Sequence, residues 1–178
     1  MKTIFESPSS LLQLDEDKQI VYKTIKGDKD RTLSPGWLAG YIDISNMADN
    51  HVKVLGQVDD YTFVMEYIPN ILDNLESVLK KPSYYPMLDK QFIIRATLAF
   101  CQANNVGLEY SATFDNNMYF LHTDLKLANM LVTTDMKIII IDPDSYRWIP
   151  NLDWMEKYSM NQVNLQFCLQ RYFNYKNV

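Results

Sequence analysis

His122-Thr123-Asp124-Leu125-Lys126-Leu127-Ala128-Asn129 follows Tyr119-Phe120-Leu121 and runs directly into Met130-Leu131-Val132. Asp124 and Asn129 fall five residues apart on a loop. Thr133-Thr134-Asp135 then marks a hairpin turn, and residues 137–141 read as a strand that ends at Asp142-Pro143-Asp144. A strand returning from a hairpin brings Asp142 back toward the loop, so two carboxylates and a carboxamide meet in one crevice. Hard oxygen donors of this kind suit magnesium, which keeps much of its water and takes further ligands from substrate phosphates. Two carboxylates about 4 Å apart repel by roughly 4 kcal/mol at an effective dielectric near 20, so the crevice needs a cation or a proton. With sixteen aspartates and fourteen asparagines in the chain, a given histidine is followed by this Asp, Asn and Asp pattern by chance about 6 times in 10,000. The plain alternative is a polar loop with a capping aspartate and a solvated asparagine.

Outward from this stretch the chain divides into two halves. Residues 18–25 form an apolar, β-branched run that predicts a strand. The turn Ser7-Pro8-Ser9-Ser10 makes residues 11–14 its hairpin partner. Residues 27–31 are polar and turn-like. Ser34-Pro35 starts a helix over residues 35–47, with serine at the cap and proline in the first turn. Residues 52–55 and 61–67 give two more strands. Residues 71–79 and 88–104 have helical periodicity, with Ile94, Leu98 and Cys101 on one face of the second. Residues 155–173 read as an amphipathic helix through Tyr158, Leu165, Cys168, Leu169 and Tyr172. The expected fold class is α+β.

In order and spacing these pieces resemble the protein-kinase superfamily. Residues 122–129 look like the catalytic loop H-R-D-L-K-x-x-N, and Asp142-Pro143-Asp144 stands in the place of D-F-G. Val21-Tyr22-Lys23 resembles the V-A-I-K strand, and residues 50–56 resemble the segment after the regulatory helix. Val64-Met65-Glu66-Tyr67-Ile68-Pro69 resembles the hinge that reads adenine. The resemblance covers residues 5–145. It implies a two-lobed fold, with a small antiparallel sheet and one helix in residues 1–68, a hinge near 66–69, and a truncated, mainly helical lobe in residues 69–178. It also implies ATP and magnesium. Asp124 would orient or deprotonate the substrate hydroxyl, Lys126 would touch the transferring phosphoryl group, and Asn129 and Asp142 would bind the metal. Lys23 would pair with the α- and β-phosphates, with Met65 as gatekeeper and the backbone of Glu66 and Ile68 on adenine. Lys126 two residues after the aspartate is typical of Ser/Thr-directed members. Without that context Lys23 reads as a solvated strand lysine, Met65 and Tyr67 as core, and His122 as a brace for the loop.

Departures from the family pattern are specific. No G-x-G-x-x-G precedes Lys23, which leaves residues 7–10 as the candidate phosphate lid. The helix glutamate that pairs with the lysine is missing, and Asp43 lies near its place. Thr123 replaces the arginine that clamps a phosphorylated activation segment. Pro143 replaces the mobile phenylalanine and biases Asp142 toward extended backbone. Only 34 residues follow Asp144 in the 178-residue sequence, so a stripped lower lobe capped by Tyr172-Phe173 is expected. That plan looks like small bacterial type III effector kinases and phage-borne kinases, which implies a host protein as substrate or partner. A pseudokinase-like module that sequesters such a protein is the alternative.

Composition narrows the remaining classes. Hydrophobic residues make up 47% and charged ones 22%, which suits a globular protein. A net charge of −5, with Lys80-Lys81 the sole adjacent basic pair, argues against nucleic acid as a partner. The most apolar stretch, residues 92–100, contains Arg95, so no membrane span is expected. With no signal segment and two cysteines read as buried free thiols, a cytoplasmic setting, possible in a host, is the expectation.

Overall fold

Alternation builds the first half of the chain. Along Ile20–Ile25 every second side chain, Val21, Lys23 and Ile25, is buried, and along Thr62–Glu66 so are Phe63 and Met65. This two-residue period belongs to a sheet with one covered face. The structure, a computed structural model, describes residues 1–27, 33, 36–114, 117–150 and the single positions 166, 169, 170 and 173. Strands β1 (Lys2–Glu6), β2 (Ser10–Asp15), β3 (Ile20–Ile25), β4 (Val54–Gln57) and β5 (Thr62–Glu66) form an antiparallel sheet in the order β1-β2-β3-β5-β4. Helix α1 (Trp37–Met47) covers it, burying Trp37, Tyr41 and Ile44, and Trp37 packs on Phe63 with ring centroids 5.1 Å apart.

The second half adds β6 (Ile71–Asn74), α2 (Leu75–Lys80), α3 (Lys90–Ser111), β7 (Met118–His122), β8 (Met130–Thr133), β9 (Ile138–Ile140) and β10 (Tyr146–Pro150). β6, β8 and β9 make one antiparallel sheet, and β7 pairs antiparallel with β10. The fold is therefore α+β. One hydrophobic core lies between the five-stranded sheet and α1 and also takes Val106, Phe120 and Tyr146 from the second half. The other gathers α2, α3, β8 and β9 around Leu79, Phe92, Phe100, Leu125 and Met130, with Leu169 against it. Backbone bonds join the halves: Val52 N–H donates to Ile140 O at 2.9 Å, and Ile140 N–H to Asn50 O at 2.7 Å.

Several expectations change. Residues 71–79 are not one helix. Asn74 divides them, because its side chain accepts from Ser77 N–H at 2.9 Å and caps α2, while Ile71, Asp73 and Asn74 pair with β8. Helix α3 runs on to Ser111, and Asp89 caps its start by accepting from Phe92 N–H at 2.6 Å. Its buried face is Phe92, Ile93, Ala96, Ala99, Phe100 and Ala103, whereas Ile94 and Leu98 are exposed and Cys101 is a half-buried free thiol. The alanines let α3 lie close to its neighbours, so the stripe that packs best wins over the stripe through Ile94. Strand β1 escaped prediction. Ser34-Pro35, residues 28–31, Cys168, Tyr172 and most of the helix expected over 155–173 lie outside the described residues.

Candidate functional site

The loop after β7 is held by its own alternation. Leu125 and Leu127 are fully buried in the second core, which turns Asp124 and Lys126 outward to solvent. Asn129 N–H donates to Lys126 O at 2.9 Å, closing a tight turn, and Ile141 N–H donates to Asn129 O at 2.9 Å, tying the loop to the end of β9. Asn129 Nδ2 donates to the Asp124 carbonyl at 2.9 Å and reaches the Asp124 carboxylate at 3.3 Å, while Lys126 Nζ donates to that carboxylate at 2.6 Å. Asp124, Lys126 and Asn129 are thus one cluster.

Asp142 sits differently from the expected extended backbone. Its φ of 68° and ψ of 53° are left-handed. The following proline disfavours the right-handed helical region, and aspartate tolerates the left-handed one better than most residues. The turn is fastened on every side. Ser145 N–H donates to Asp142 O at 2.9 Å, and Ser145 Oγ donates to the Asp142 carboxylate at 2.6 Å. Thr123 bonds Ser145 O through both its N–H and its Oγ1, each at 2.8 Å. Trp37 Nε1 donates to Pro143 O at 3.0 Å, so α1 grips the turn by its backbone.

Lys23 reaches this turn from β3, 119 residues earlier in the chain. Its side chain is 6% exposed and donates to both Asp142 and Asp144, the latter at 2.5 Å. Burial works against the lysine charge, but the two carboxylates outweigh it and hold its pKa above the ordinary value. Burial also opposes ionisation of Asp142. Lys23 and Ser145 overcome that and hold its carboxyl at about 2. In Asp144, burial and the adjacent Asp142 charge prevail over Lys23 and push the carboxyl upward. Lys23 is therefore not a solvated strand lysine.

A cleft of about 620 Å³ collects these groups. Leu12, Val21, Val52, Met65, Ile68, Leu131 and Ile141 form apolar walls, and Lys23, Asp124, Lys126, Asn129 and Asp142 form a polar end. Glu66 also lines it, with its carboxylate accepting from Lys53 N–H at 2.7 Å. Among the described residues, the Ile68 N–H has no hydrogen-bond partner. Residues 4–10 of the β1–β2 hairpin contribute Ile4, Phe5, Ser7, Ser9 and Ser10. The N–H groups of Ser9 and Ser10 donate to Ser7 Oγ at 3.2 and 3.0 Å. His122 braces the loop, as expected, with Nε2 3.2 Å from Ile141 O.

Of the nine residues expected in the site, Lys23, Met65, Glu66, Ile68, Asp124, Lys126, Asn129 and Asp142 line this one cleft. Asp43 does not. It lies two residues beyond buried Tyr41 in α1, about 200° around the helix, exposed and near Tyr110, whose pKa burial and the Asp43 charge raise. Asp144 takes the lysine-pairing place instead. The sequence shows it only as the second acid of Asp142-Pro143-Asp144, with nothing to tie it to a lysine 121 residues away. Trp37 and Ser145 carried no signal either.

No family model matches the sequence, and no curated protein matches it significantly. Among the described residues no helix is long and apolar enough to cross a membrane, and no three His, Cys, Asp or Glu side chains form a metal-holding group. Magnesium asks for less than such a group, since substrate phosphates and water fill most of its shell. The donor chemistry fits. Asp142 is held ionised and lines the cleft, and Asn129 spends its Nδ2 on Asp124, so that Oδ1 would be the atom to ligate a cation.

Proposed function

We propose that this chain is a reduced protein kinase with the superfamily's two-lobed arrangement, transferring the γ-phosphoryl group of ATP to a serine or threonine hydroxyl of a host protein in the host cytoplasm. What carries the proposal is the gathering of Lys23, Met65, Glu66, Ile68, Asp124, Lys126, Asn129 and Asp142, scattered over the sequence, around one cleft. The apolar walls suit a purine ring, with the free Ile68 N–H and the Glu66 backbone at its edge. Lys23 meets the α- and β-phosphates and Lys126 meets the γ-phosphoryl group. Asp124 accepts the proton as the substrate oxygen bonds to phosphorus and the bond to the β-bridging oxygen breaks, releasing ADP. Asn129 and Asp142 would hold magnesium, which when bound would supply neutralisation of phosphate charge. Alignment and charge neutralisation are most of what phosphoryl transfer requires.

Purified protein with labelled ATP and magnesium is expected to phosphorylate itself or a generic Ser/Thr substrate. Asp124→Ala and Asp142→Ala should each cut incorporation by about 100-fold or more while unfolding cooperatively. No transfer by the wild type, or undiminished transfer by Asp124→Ala, overturns the proposal. A second function, a pseudokinase-like module that holds a host protein without transfer, is favoured by one observation: Ser7 Oγ already occupies the two lid amides that a phosphate would need. A melting temperature unmoved by ATP and magnesium would favour that module.

A further inference from the structure

Lys23 is bound by two carboxylates of one turn, and the two are not equivalent. Asp142 lines the cleft, whereas Asp144 does not and has a side chain only 15% exposed. The backbone between them is fixed by the Trp37 Nε1 bond to Pro143 O and by the Thr123 bonds to Ser145 O. We infer that Asp144 is a positioning residue that keeps Lys23 aimed into the cleft when Asp142 turns to a cation, and so does from the turn what no acid of α1 does here.

The chemistry requires some such group. A lysine with a nearly covered side chain must keep a counter-charge, or the cost of burying its ammonium falls on the fold. If Asp142 were its sole partner, any cation drawing that carboxylate away would strand it. Asp144 is nearly covered and outside the lining of the cleft, so it is less open than Asp142 to competition from a phosphate or cation there. Its place on the same rigid turn fixes the lysine relative to Asp142 directly. Helix α1 contributes through an uncharged contact, Trp37 to a main-chain oxygen, and its Asp43 is exposed and outside the cleft.

This inference rests on the proposed nucleotide site, and its test separates the two. Affinity for a fluorescent ATP analogue, with magnesium and again with EDTA, is measured for wild type, Asp144→Asn, Lys23→Met and the double variant. Asp144→Asn is expected to weaken binding about tenfold with magnesium and less in EDTA, where Asp142 still holds the lysine, and the double variant to bind no more weakly than Lys23→Met alone, because Asp144 acts through the lysine. Binding by Asp144→Asn equal to wild type, or losses that add in full, overturns the inference. Should Asp144→Asn fail to fold, Asp144→Ser takes its place in the same cycle. A wild type that binds no nucleotide removes the proposed function. Urea unfolding of the same four proteins then decides the pairing: non-additive midpoints uphold it, and additive ones end it.

Discussion

Asp142 combines a left-handed backbone, fixed by the turn's own hydrogen bonds, with a carboxylate that Lys23 and Ser145 hold at about 2 against burial. Removing the lysine leaves two neighbouring carboxylates covered and unpaired. Lys23→Met should therefore cost about 3 kcal/mol at pH 7 by urea unfolding. The loss should shrink toward pH 4, because carboxyls whose folded pKa is raised gain stability as they bind protons. The two histidines act in the opposite direction. His51 is buried, with Nε2 2.7 Å from Tyr146 Oη, and burial lowers its pKa to about 3; burial also lowers that of His122. The unfolded chain takes up protons at these sites below about pH 6.5, while the folded chain refuses them. Stability present above pH 6.5 should fall as the pH drops through 6 and 5, by up to about 1.4 kcal/mol per unit for His51, with His122 adding a loss of the same sign. The Asp142 contribution is lost only lower, as the pH falls from about 4 toward 2. A urea midpoint constant from pH 7 to 5 would contradict this. At this scale Asp124, Lys126 and Asn129 were legible because their partners are sequence neighbours. Asp144 was not, because its role is defined by a lysine 121 residues away.

Strands were easier to foresee than helix faces. β3 and β5 announce themselves by alternation, and a one-residue slip would turn Lys23 and Met65 to the open side. Helix α3 is apolar around most of its early circumference, so its periodicity admits two stripes, and packing against α2 and β9 chooses between them. Leu98→Lys should change stability by no more than about 0.5 kcal/mol, while Phe100→Ala should cost about 3 to 5 kcal/mol, both measured by chemical denaturation. A large cost at Leu98 would mean that this face is covered. Close approach explains a further position. A side-chain carbon at Gly107 would collide with the Phe120 carbonyl and press on the Leu121 side chain. Gly107→Ala should lower stability by about 2 kcal/mol or more despite alanine's better helix propensity. The strand-to-helix boundary at Asn74 was hidden because Ile71–Asn74 looks helical until β8 is there to pair with it.

Across the whole molecule, the order of the pieces was legible and their mutual grip was not. Sequence order placed the loop, the turn and the lysine strand correctly along the chain. The bonds between residues 50–52 and Ile140, and the sharing of Phe120 and Tyr146 with the first core, needed coordinates. A ligand seated in the cleft touches both halves, so its binding free energy adds to the stability of the whole. ATP with magnesium at 100 times its Kd should stabilise the protein by about 2.7 kcal/mol, read as a rise in Tm that Asp142→Ala removes. The hold of α1 on the Asp142–Asp144 turn has an evolutionary corollary. Trp37 recognises a peptide oxygen, so substitutions that keep the shape of residue 143 can drift without loosening the joint. The tryptophan alone is irreplaceable, and variation in homologous sequences should therefore be freer at position 143 than at position 37.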